Sequence, residues 1–592
     1  MLSCQLAVIG AGSAGCGAAL AASRLGIDTV LVENYPRIGG ISTFAGVNCY
    51  EPVAGATGIS RLLFEEMWRN DPAGIGIYRM ARHCAVPAGD EPPFPGAEQR
   101  INPAGRYEDT LCSHVEEREP RKAFLLRSGV IFEPELFCRT VEGMLAGSGC
   151  CRIRTGVAPA ALDCRDGVLR RMVLTDGTRL EAARWIDCSG TVAAQCGCRM
   201  LFGREASGRF GESGAPKFPE PVLNGVSQIF RIRPAAGDAV EPLPAGIPAA
   251  CWWAAQFPAA CFTEYPNGDF NCNMLPTMSG LEFYALGADA AQAELKRRVY
   301  AYWHYLQTGF PEFRRFRLHH IFPRPGCRDG YRVLCRGMLT ERDVLGGLGR
   351  QKRDEIIALC DHPLDFHGRG GGGRSGSLYG IPYHSLVPAG MKNLLVAGRM
   401  AGFSALAASS CRLSRTMLQL GEAAGTAAYL SLERFAKHAG KIYPLELQEQ
   451  VIAHFAANPK VKVFLFGGGK SEQDVFDAWI AKYPSVVSMI GKLNMRTELN
   501  LMSHLDVMLS MDSANMHLAS LVNIPVVSIW GATHPYAGFM GWKQLPVNTV
   551  QLDLSCRPCS VYGQKPCWRG DYACLRDIKP EQVIAKIEGF VD

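Results

Sequence analysis

The chain has 592 residues, 47% of them hydrophobic and 20% charged, with a formal net charge of +6. That length calls for more than one domain, and so slight a charge excess gives no case for nucleic acid as a partner. No apolar run reaches the ~18 residues of a membrane span. No apolar leader with a cleavage site precedes the first strand, so a cytoplasmic setting is expected, with most of the 23 cysteines reduced.

The first forty residues organise the rest of the chain. Cys4-Gln5-Leu6-Ala7-Val8-Ile9 predicts an apolar strand. Gly10-Ala11-Gly12-Ser13-Ala14-Gly15 predicts a tight turn into a helix of small residues that reaches Leu25. Thr29-Val30-Leu31-Val32 predicts a second strand that ends on Glu33 and Asn34. A G-x-G-x-x-G between strand and helix, with an acid closing the next strand, reads as a dinucleotide site. Gly10 permits the turn, Gly12 admits a pyrophosphate, and Gly15 lets the helix pack on the strand. The helix N-terminus at Ser13 and Ala14 offers free N–H groups and a positive dipole end to the phosphates. Glu33 is placed to accept both ribose hydroxyls, and its charge repels a 2′-phosphate. Gly39-Gly40-Ile41-Ser42-Thr43 comes six residues later and resembles the flavoprotein version of the motif, in which the extra glycines bring the chain under the FAD.

Residues 41–125 read as loop-rich, with Pro and Gly clusters at 87–95 and 102–105, and are expected to cover the cofactor. Phe132-Glu133-Pro134-Glu135 opens a helix through Leu145, residues 151–157 predict a strand, and 160–180 a meander turning at Asp166-Gly167 and Asp176-Gly177. Arg184-Trp185-Ile186-Asp187-Cys188-Ser189-Gly190-Thr191 is a strand ending in a small turn, where Ser189 and Gly190 let a second backbone segment approach the dinucleotide. Residues 200–330 carry aromatics with weak periodicity, among them Trp252, Trp253, Phe257, Tyr265 and Phe283. They predict a mainly β substrate-side domain with a helix near 290–306, its aromatics serving either as core or as a lining for a ring-shaped substrate.

Further on, Leu339-Thr340-Glu341-Arg342-Asp343-Val344 looks like a capped helix start, and Asp365-Phe366-His367 precedes a glycine run. Residues 379–388 contain His384 and lead to a buried strand, 393–397, that ends in Gly398-Arg399. A helix from Arg412 to Leu430 is rich in Gly and Ala, small enough to pass close to a flat ligand, with its N-terminal dipole favouring negative charge on a reduced flavin. His367, His384 and Arg399 are the candidates for proton transfer or anion orientation, against a purely structural role for each. No C-x-x-C or C-x4-C pair lies near these motifs, so a disulfide-reductase mechanism is unsupported.

The order of these motifs, with Gly203-Arg204-Glu205, resembles the FAD-dependent oxidoreductase family over residues 1–430. The resemblance implies a glutathione-reductase-like α/β fold: a Rossmann-like FAD-binding domain over 1–200 and 335–432, with a mainly β substrate domain inserted at 201–334. It implies that Gly10, Gly12, Ser13, Ala14, Gly15, Glu33, Asn34, Gly39 and Gly40 hold the ADP half. Val157 meets the adenine through its backbone, and Gly398, Arg399 and Arg412 hold the flavin end. One departure stands out: where such proteins often carry Ser-His, this chain has Ser404-Ala405.

Basic residues change character along the chain. Residues 1–433 hold 41 Arg and 5 Lys, whereas 434–592 hold 5 Arg and 11 Lys. A recent gene fusion or a chimeric joining of two sequences explains the switch, with the boundary at 432–435. Beyond it a second α/β pattern runs: a strand at 461–466 into Gly467-Gly468-Gly469, a helix at 471–483 with Ser471 as cap, strands at 486–490 and 507–510, and a last one within 524–531. Asp512, Ser513, Ala514, Asn515, Met516 and His517 open a helix whose N-terminus can hold a diphosphate.

This part resembles the C-terminal half of glycosyltransferase family nine, the ADP-heptose:lipopolysaccharide heptosyltransferases, through Lys441-Ile442-Tyr443-Pro444, the glycine run, residues 512–517 and 525–531 and the terminal cysteines. The resemblance implies that Lys441 and residues 513–517 bind the ADP-sugar diphosphate and that Asp512 positions the donor. The acceptor half expected before residue 434 is replaced by the flavoprotein. Cys556, Cys559, Cys567 and Cys574 form C-x2-C-x7-C-x6-C, for which a tetrahedral zinc site is chemically reasonable, reduced or disulfide-linked thiols being the other reading. The expected activity is hydride transfer between FAD and a small redox substrate. The alternatives are a glycosyltransferase carrying a flavoprotein partner, or FAD held without turnover.

Overall fold

The computed structural model describes the chain apart from residues 85–93, 112–126, 254–259, 275, 367–377, 433–437, 469 and 592. It divides into two compact units, Met1–Thr426 and Ala427–Asp592.

The first unit is built on a seven-stranded sheet. Its order is Cys151–Arg154, Thr29–Val32, Leu2–Ile9, Arg179–Asp187, Val168–Leu174 and Pro159–Arg165, with Leu394–Val396 also paired to Arg179–Asp187. Leu2–Ile9 lies between parallel neighbours, Ile9 opposite both Val32 and Asp187. Leu6, Ala7, Val8 and Ile9 are buried as an unbroken apolar run, the pattern of a strand covered on both faces. The helix Ser13–Arg24 buries every residue but its last. Its close neighbour is the helix Ser414–Leu432. A Cβ on Gly17 would lie 2.4 Å from the Leu418 carbonyl oxygen, and one on Gly421 would lie 1.9 Å from that of Ala14. Gly421 and Gly425 of the late helix therefore serve backbone-to-backbone helix packing. That helix begins at Ser414, so Arg412 stands in the turn before it.

A second sheet of eight strands completes the unit. Its order is Phe316–Ile321, Ile229–Pro234, Phe270–Met274, Ala260–Glu264, Gly96–Ile101, Ile75–His83, Ser128–Phe132 and Cys49–Tyr50. The stretch read as loop-rich thus supplies three of these strands and the helix Ile59–Asn70. Turn residues dominate its composition; Ile75–His83 pairs with Gly96–Ile101 and with Ser128–Phe132, and the join to the rest of the sheet, Gly96 opposite Ala260, spans some 160 residues, where no local pattern reveals it. The helix Ala288–Gly309 packs on this sheet through Tyr302, Trp303 and Leu306, which join Phe230, Trp253, Phe262 and Phe313 in one buried cluster. Of the two roles open to the aromatics, Trp253 and Tyr265 take that of core, whereas Trp252 is exposed and Phe257 lies outside the described residues.

The second unit holds two small parallel sheets. One pairs Val463–Leu465 with Val486–Ser488, and the other runs Met508–Met511, Val526–Ile529, Thr549–Val550. A single cavity of about 430 Å³ is walled by Val463, Phe464 and Leu465 on one side and by Met508, Leu509 and Ser510 on the other. In the doubly wound order 3-2-1-4-5-6 the strand first in the chain lies at the centre. Here Val463–Leu465 and Met508–Met511 end two separate sheets on either side of the cavity, and no described strand pairs with either on that side. Among the described residues no helix is long and apolar enough to cross a membrane.

Candidate functional site

The glycine turn is assembled as its spacing predicts. Gly10 has φ +92°, and a Cβ there would lie 3.0 Å from the backbone of Cys188 and Ser189. A Cβ on Gly15 would lie 1.8 Å from the Gly10 carbonyl oxygen, so only hydrogen fits between turn and helix. Nothing lies within 4 Å of where a Gly12 Cβ would point, leaving that side of the turn open. Gly39 donates to the Ala11 carbonyl at 2.7 Å, and a Cβ on Gly40 would lie 2.8 Å from the Gly12 Cα. The second glycine pair therefore underpins the first.

Glu33 is 5% exposed. Its Oε2 accepts the Ala11 N–H at 2.6 Å and its Oε1 the Tyr35 N–H at 3.0 Å. Burial outweighs these bonds and raises its pKa above the ordinary carboxylate value. Each oxygen retains a second lone pair, so the carboxylate braces the glycine turn and still has acceptors for a ligand. The Val157 N–H is committed to the Glu33 carbonyl at 3.1 Å, which leaves the Val157 carbonyl as the backbone group it can offer.

At the far end a residue that motif reading passed over builds the second turn. Asp187 is fully buried. Its Oδ1 accepts from Ser189 N–H, Ser189 Oγ and Gly190 N–H, and its Oδ2 from Ala193 N–H, all within 2.7–3.0 Å. Gly398 takes φ +110°, beside Ala14, and turns the chain so that Arg399 follows. Arg412 is tied to Asp365 at 2.8 Å through its carboxylate and 2.9 Å through its carbonyl. Ser404 Oγ caps the helix Ala405–Ser410 at the Ala407 N–H, 3.1 Å away, and contacts Glu212. The Ser-Ala pair is structural here.

These pieces meet in one cleft of about 430 Å³, whose wall includes Gly10, Gly12, Ser13, Ala14, Glu33, Asn34, Gly40, Val157, Ser189, Gly398, Arg399 and Arg412. That size suits a cofactor. Gly15, Gly39 and Gly190 stand behind the wall as supports. A smaller chamber of about 130 Å³ adjoins it, sharing Ile41, Cys327, Arg399 and Arg412. Desolvation lowers the Arg399 pKa, with Cys327 and Asp329 opposing.

The histidine candidates fare differently. His367 lies outside the described residues. His384 is in neither wall: it sits on the turn Tyr383–Leu386, its Nδ1 3.7 Å from Glu355 Oε2, because the turn faces it outward. His362, five residues before the expected His367, lines the chamber. It is 5% exposed, its Nδ1 lies 2.8 Å from the Pro363 carbonyl and its Nε2 lies 3.7 Å from Glu51 Oε2. The Asp361-His362-Pro363 run that carries it has no periodicity to mark it.

In the second unit Lys441 Nζ lies 3.0 Å from Asp512 Oδ2, both largely buried. Burial lowers the pKa of His517, with Asp512 and Lys441 acting in opposite senses. Ser513 precedes the helix Ala514–Leu521, and Asn515 Nδ2 donates to the Phe466 carbonyl at 3.1 Å. The Met516 side chain is 1% exposed, within the core that holds Met502 and Trp530, so its backbone is the part available to a ligand. The zinc reading of Cys556, Cys559, Cys567 and Cys574 is not supported. Among the described residues no group of three or more His, Cys, Asp or Glu side chains is placed to hold a metal. Cys574 is instead packed with Tyr443, Leu575 and Ile578 in an apolar core.

Known proteins share parts of this geometry. No curated protein matches the chain. Among solved structures, the Diels-Alderase PyrE3 of pyrroindomycin biosynthesis is 14% identical, with 46% of each chain covered and a TM-score of 0.26. The myxobacterial chondrochloren halogenase CndH is 13% identical, with 82% of this chain and 79% of that one covered and a TM-score of 0.34. ADP-heptose lps heptosyltransferase II of E. coli is 18% identical, with 26% of this chain and 44% of that one covered and a TM-score of 0.20. The chain thus spans under half the length of the first and the last of these, and likenesses so weak carry no argument. Residues 409–567 match the model of glycosyltransferase family 9 (heptosyltransferase). Residues 5–451, well over half of the chain, match the model of the FAD dependent oxidoreductases, and the chain belongs to that family.

Proposed function

We propose that the first unit binds FAD in the long cleft and transfers hydride between it and a small molecule held in the adjoining chamber. The observation that supports this most is the continuity of the wall, from Glu33 and the glycine turn at one end to Gly398 and Arg399 at the other. Open space above Gly12 and the close fit of Gly15 and Gly40 suit a pyrophosphate approaching the backbone. Gly12, Ser13 and Ala14 would hold it at the helix N-terminus, Glu33 the ribose, and Gly398, Arg399 and the start of the helix Ser414–Leu432 the flavin end. Bound FAD would supply hydride acceptance and donation. His362 has its Nδ1 occupied by the Pro363 carbonyl, so Nε2 is the atom that would take or return a substrate proton. Residues 201–334, with the strands drawn from 49–132, form the substrate side of this reading.

The test is the purified full chain. The expected result is a yellow protein with one flavin per chain that bleaches with reductant and recolours with an acceptor. A colourless protein that takes up no added FAD overturns it.

A second reading concerns the C-terminal unit alone. The Lys441–Asp512 pair with His517 beside it favours binding of a nucleoside diphosphate group. Transfer is not expected, because the acceptor half that the family resemblance implies is replaced by another fold. Calorimetric titration of the full chain with ADP should show binding that Lys441→Ala removes, and heat unchanged in the variant would refute it.

A further inference from the structure

The chamber beside the cleft is walled by four guanidinium groups, Arg328, Arg399, Arg412 and Arg415, against one carboxylate, Glu51. Two of the four are committed to the protein. Arg412 is held by Asp365. Arg415 donates to the Thr110 hydroxyl at 2.7 Å, to the Thr110 carbonyl at 2.9 Å and to the Glu51 carbonyl. The other two are not. Arg399 makes no hydrogen bond or ion pair with any described residue. Arg328 spends one nitrogen, Nη1, on the Gly225 carbonyl and on Ser227 Oγ, both at 2.9 Å. Its Nε and Nη2 have no acceptor among the described residues. Desolvation first, and Arg412 next, lowers the Arg328 pKa to about 10, with Asp365 and Glu51 opposing.

Both guanidinium groups are half-buried in the chamber wall, where a cation with hydrogen-bond donors to spare is costly to hold and a ligand anion offsets the cost. Arg399 belongs to both walls and can serve the cofactor. Arg328 lines the chamber alone. Its free Nε–Nη2 edge is a planar fork with two parallel N–H groups, the geometry that a carboxylate accepts side-on. We infer that the substrate of this chamber is a small carboxylate, anchored by the Nε and Nη2 groups of Arg328 beside His362. This rests on the reading of the neighbouring cleft as the FAD site. Arg328 is here a binding residue, and it sets specificity for charge without taking part in proton transfer.

The experiment uses the full chain as purified, titrated by calorimetry with acetate, propionate, succinate and benzoate, and with propionamide as the neutral isostere of propionate. At least one of the carboxylates should bind, propionamide should not, and Arg328→Gln should weaken the carboxylate at least tenfold with flavin content unchanged. Arg328→Lys keeps the charge but loses the fork, and should fall between the two. If none of the four binds, if propionamide binds as well as propionate, or if Arg328→Gln leaves affinity unchanged, the inference is wrong. The heat of binding does not require the flavin. A colourless protein that still selects carboxylates would therefore sink the FAD reading alone, and a yellow one that ignores them would sink this inference alone.

Discussion

The two units use the same strand-and-helix grammar and reach different ends. In the first, Leu2–Ile9 occupies the middle of its sheet and hydrogen-bonds to a parallel neighbour on each side. In the second, Val463–Leu465 and Met508–Met511 each pair on one side and turn the other toward a shared cavity. The glycine turn of the first unit hangs from its central strand, so the site is as rigid as the sheet that holds it. The 512–517 turn of the second hangs from Met508–Met511, an edge beside the cavity. An edge strand exposes unpaired ladder groups and is the weak line of a sheet. Retaining the loop residues of a site is therefore not the same as retaining the strand that stiffens it.

The largest effect should come from breaking the first unit at its tightest contact. Gly421→Val puts a Cβ where 1.9 Å separates it from the Ala14 carbonyl oxygen. Destabilisation of ~3 kcal/mol is expected for such overpacking, with loss of bound flavin and of that unit's calorimetric transition. Gly491→Ala in the second unit meets no atom within 4 Å and suffers only its positive φ of 71°, a cost of about 1 kcal/mol. Equal costs for the two would erase the distinction in packing.

Hydrogen exchange measured by mass spectrometry sharpens the contrast between sheets. Amides of Val463–Leu465 and Met508–Met511 should exchange at least tenfold faster than those of residues 6–9, about 1.4 kcal/mol in opening free energy. Equal protection would mean that the cavity is closed in solution.

The pH dependence should have opposite signs in the two units. Glu33 has its pKa raised by burial, so the fold binds its proton more tightly than the unfolded chain does. Its contribution is therefore complete below the unfolded carboxylate pKa and lost as pH rises through the raised value. Glu449 in the second unit is half-buried and held below its ordinary value by Lys482. Its contribution is present above the unfolded pKa and lost as pH falls through the lowered one. Melting of the flavin-free chain across mildly acidic pH should show the first transition falling as pH rises, and Glu33→Gln should flatten that slope. A slope unchanged in the variant would assign it to other buried acids.

The smallest effect is expected at the cysteines. Replacing Cys556, Cys559 and Cys567 together by serine should move the melting of the second unit by less than about 0.5 kcal/mol, as for ordinary surface positions. Cys574→Ser buries a hydroxyl in an apolar core and should cost about 1–3 kcal/mol. Metal analysis of the unaltered chain should find no zinc, and stoichiometric zinc would restore a metal role for these thiols.

Much of this protein was determined by its local sequence. The glycine turn, the acid at the end of the second strand, the Thr340–Asp343 capping box at the start of Glu341–Gly346 and the switch from Arg to Lys all depend on neighbours a few residues apart. Such features express backbone conformation, hydrogen bonding within one turn, or coding origin, and a linear reading can see them. The tertiary structure alone decided that Gly421 meets Ala14, that residues 75–83 and 96–101 join the eight-stranded sheet, and that His362, not His384, reaches the chamber. It alone left two nitrogens of Arg328 without an acceptor among the described residues and a cavity between the two small sheets of the second unit. Contacts of that kind form between segments hundreds of residues apart, and burial and pairing at such distances leave no periodic trace in the residues that make them.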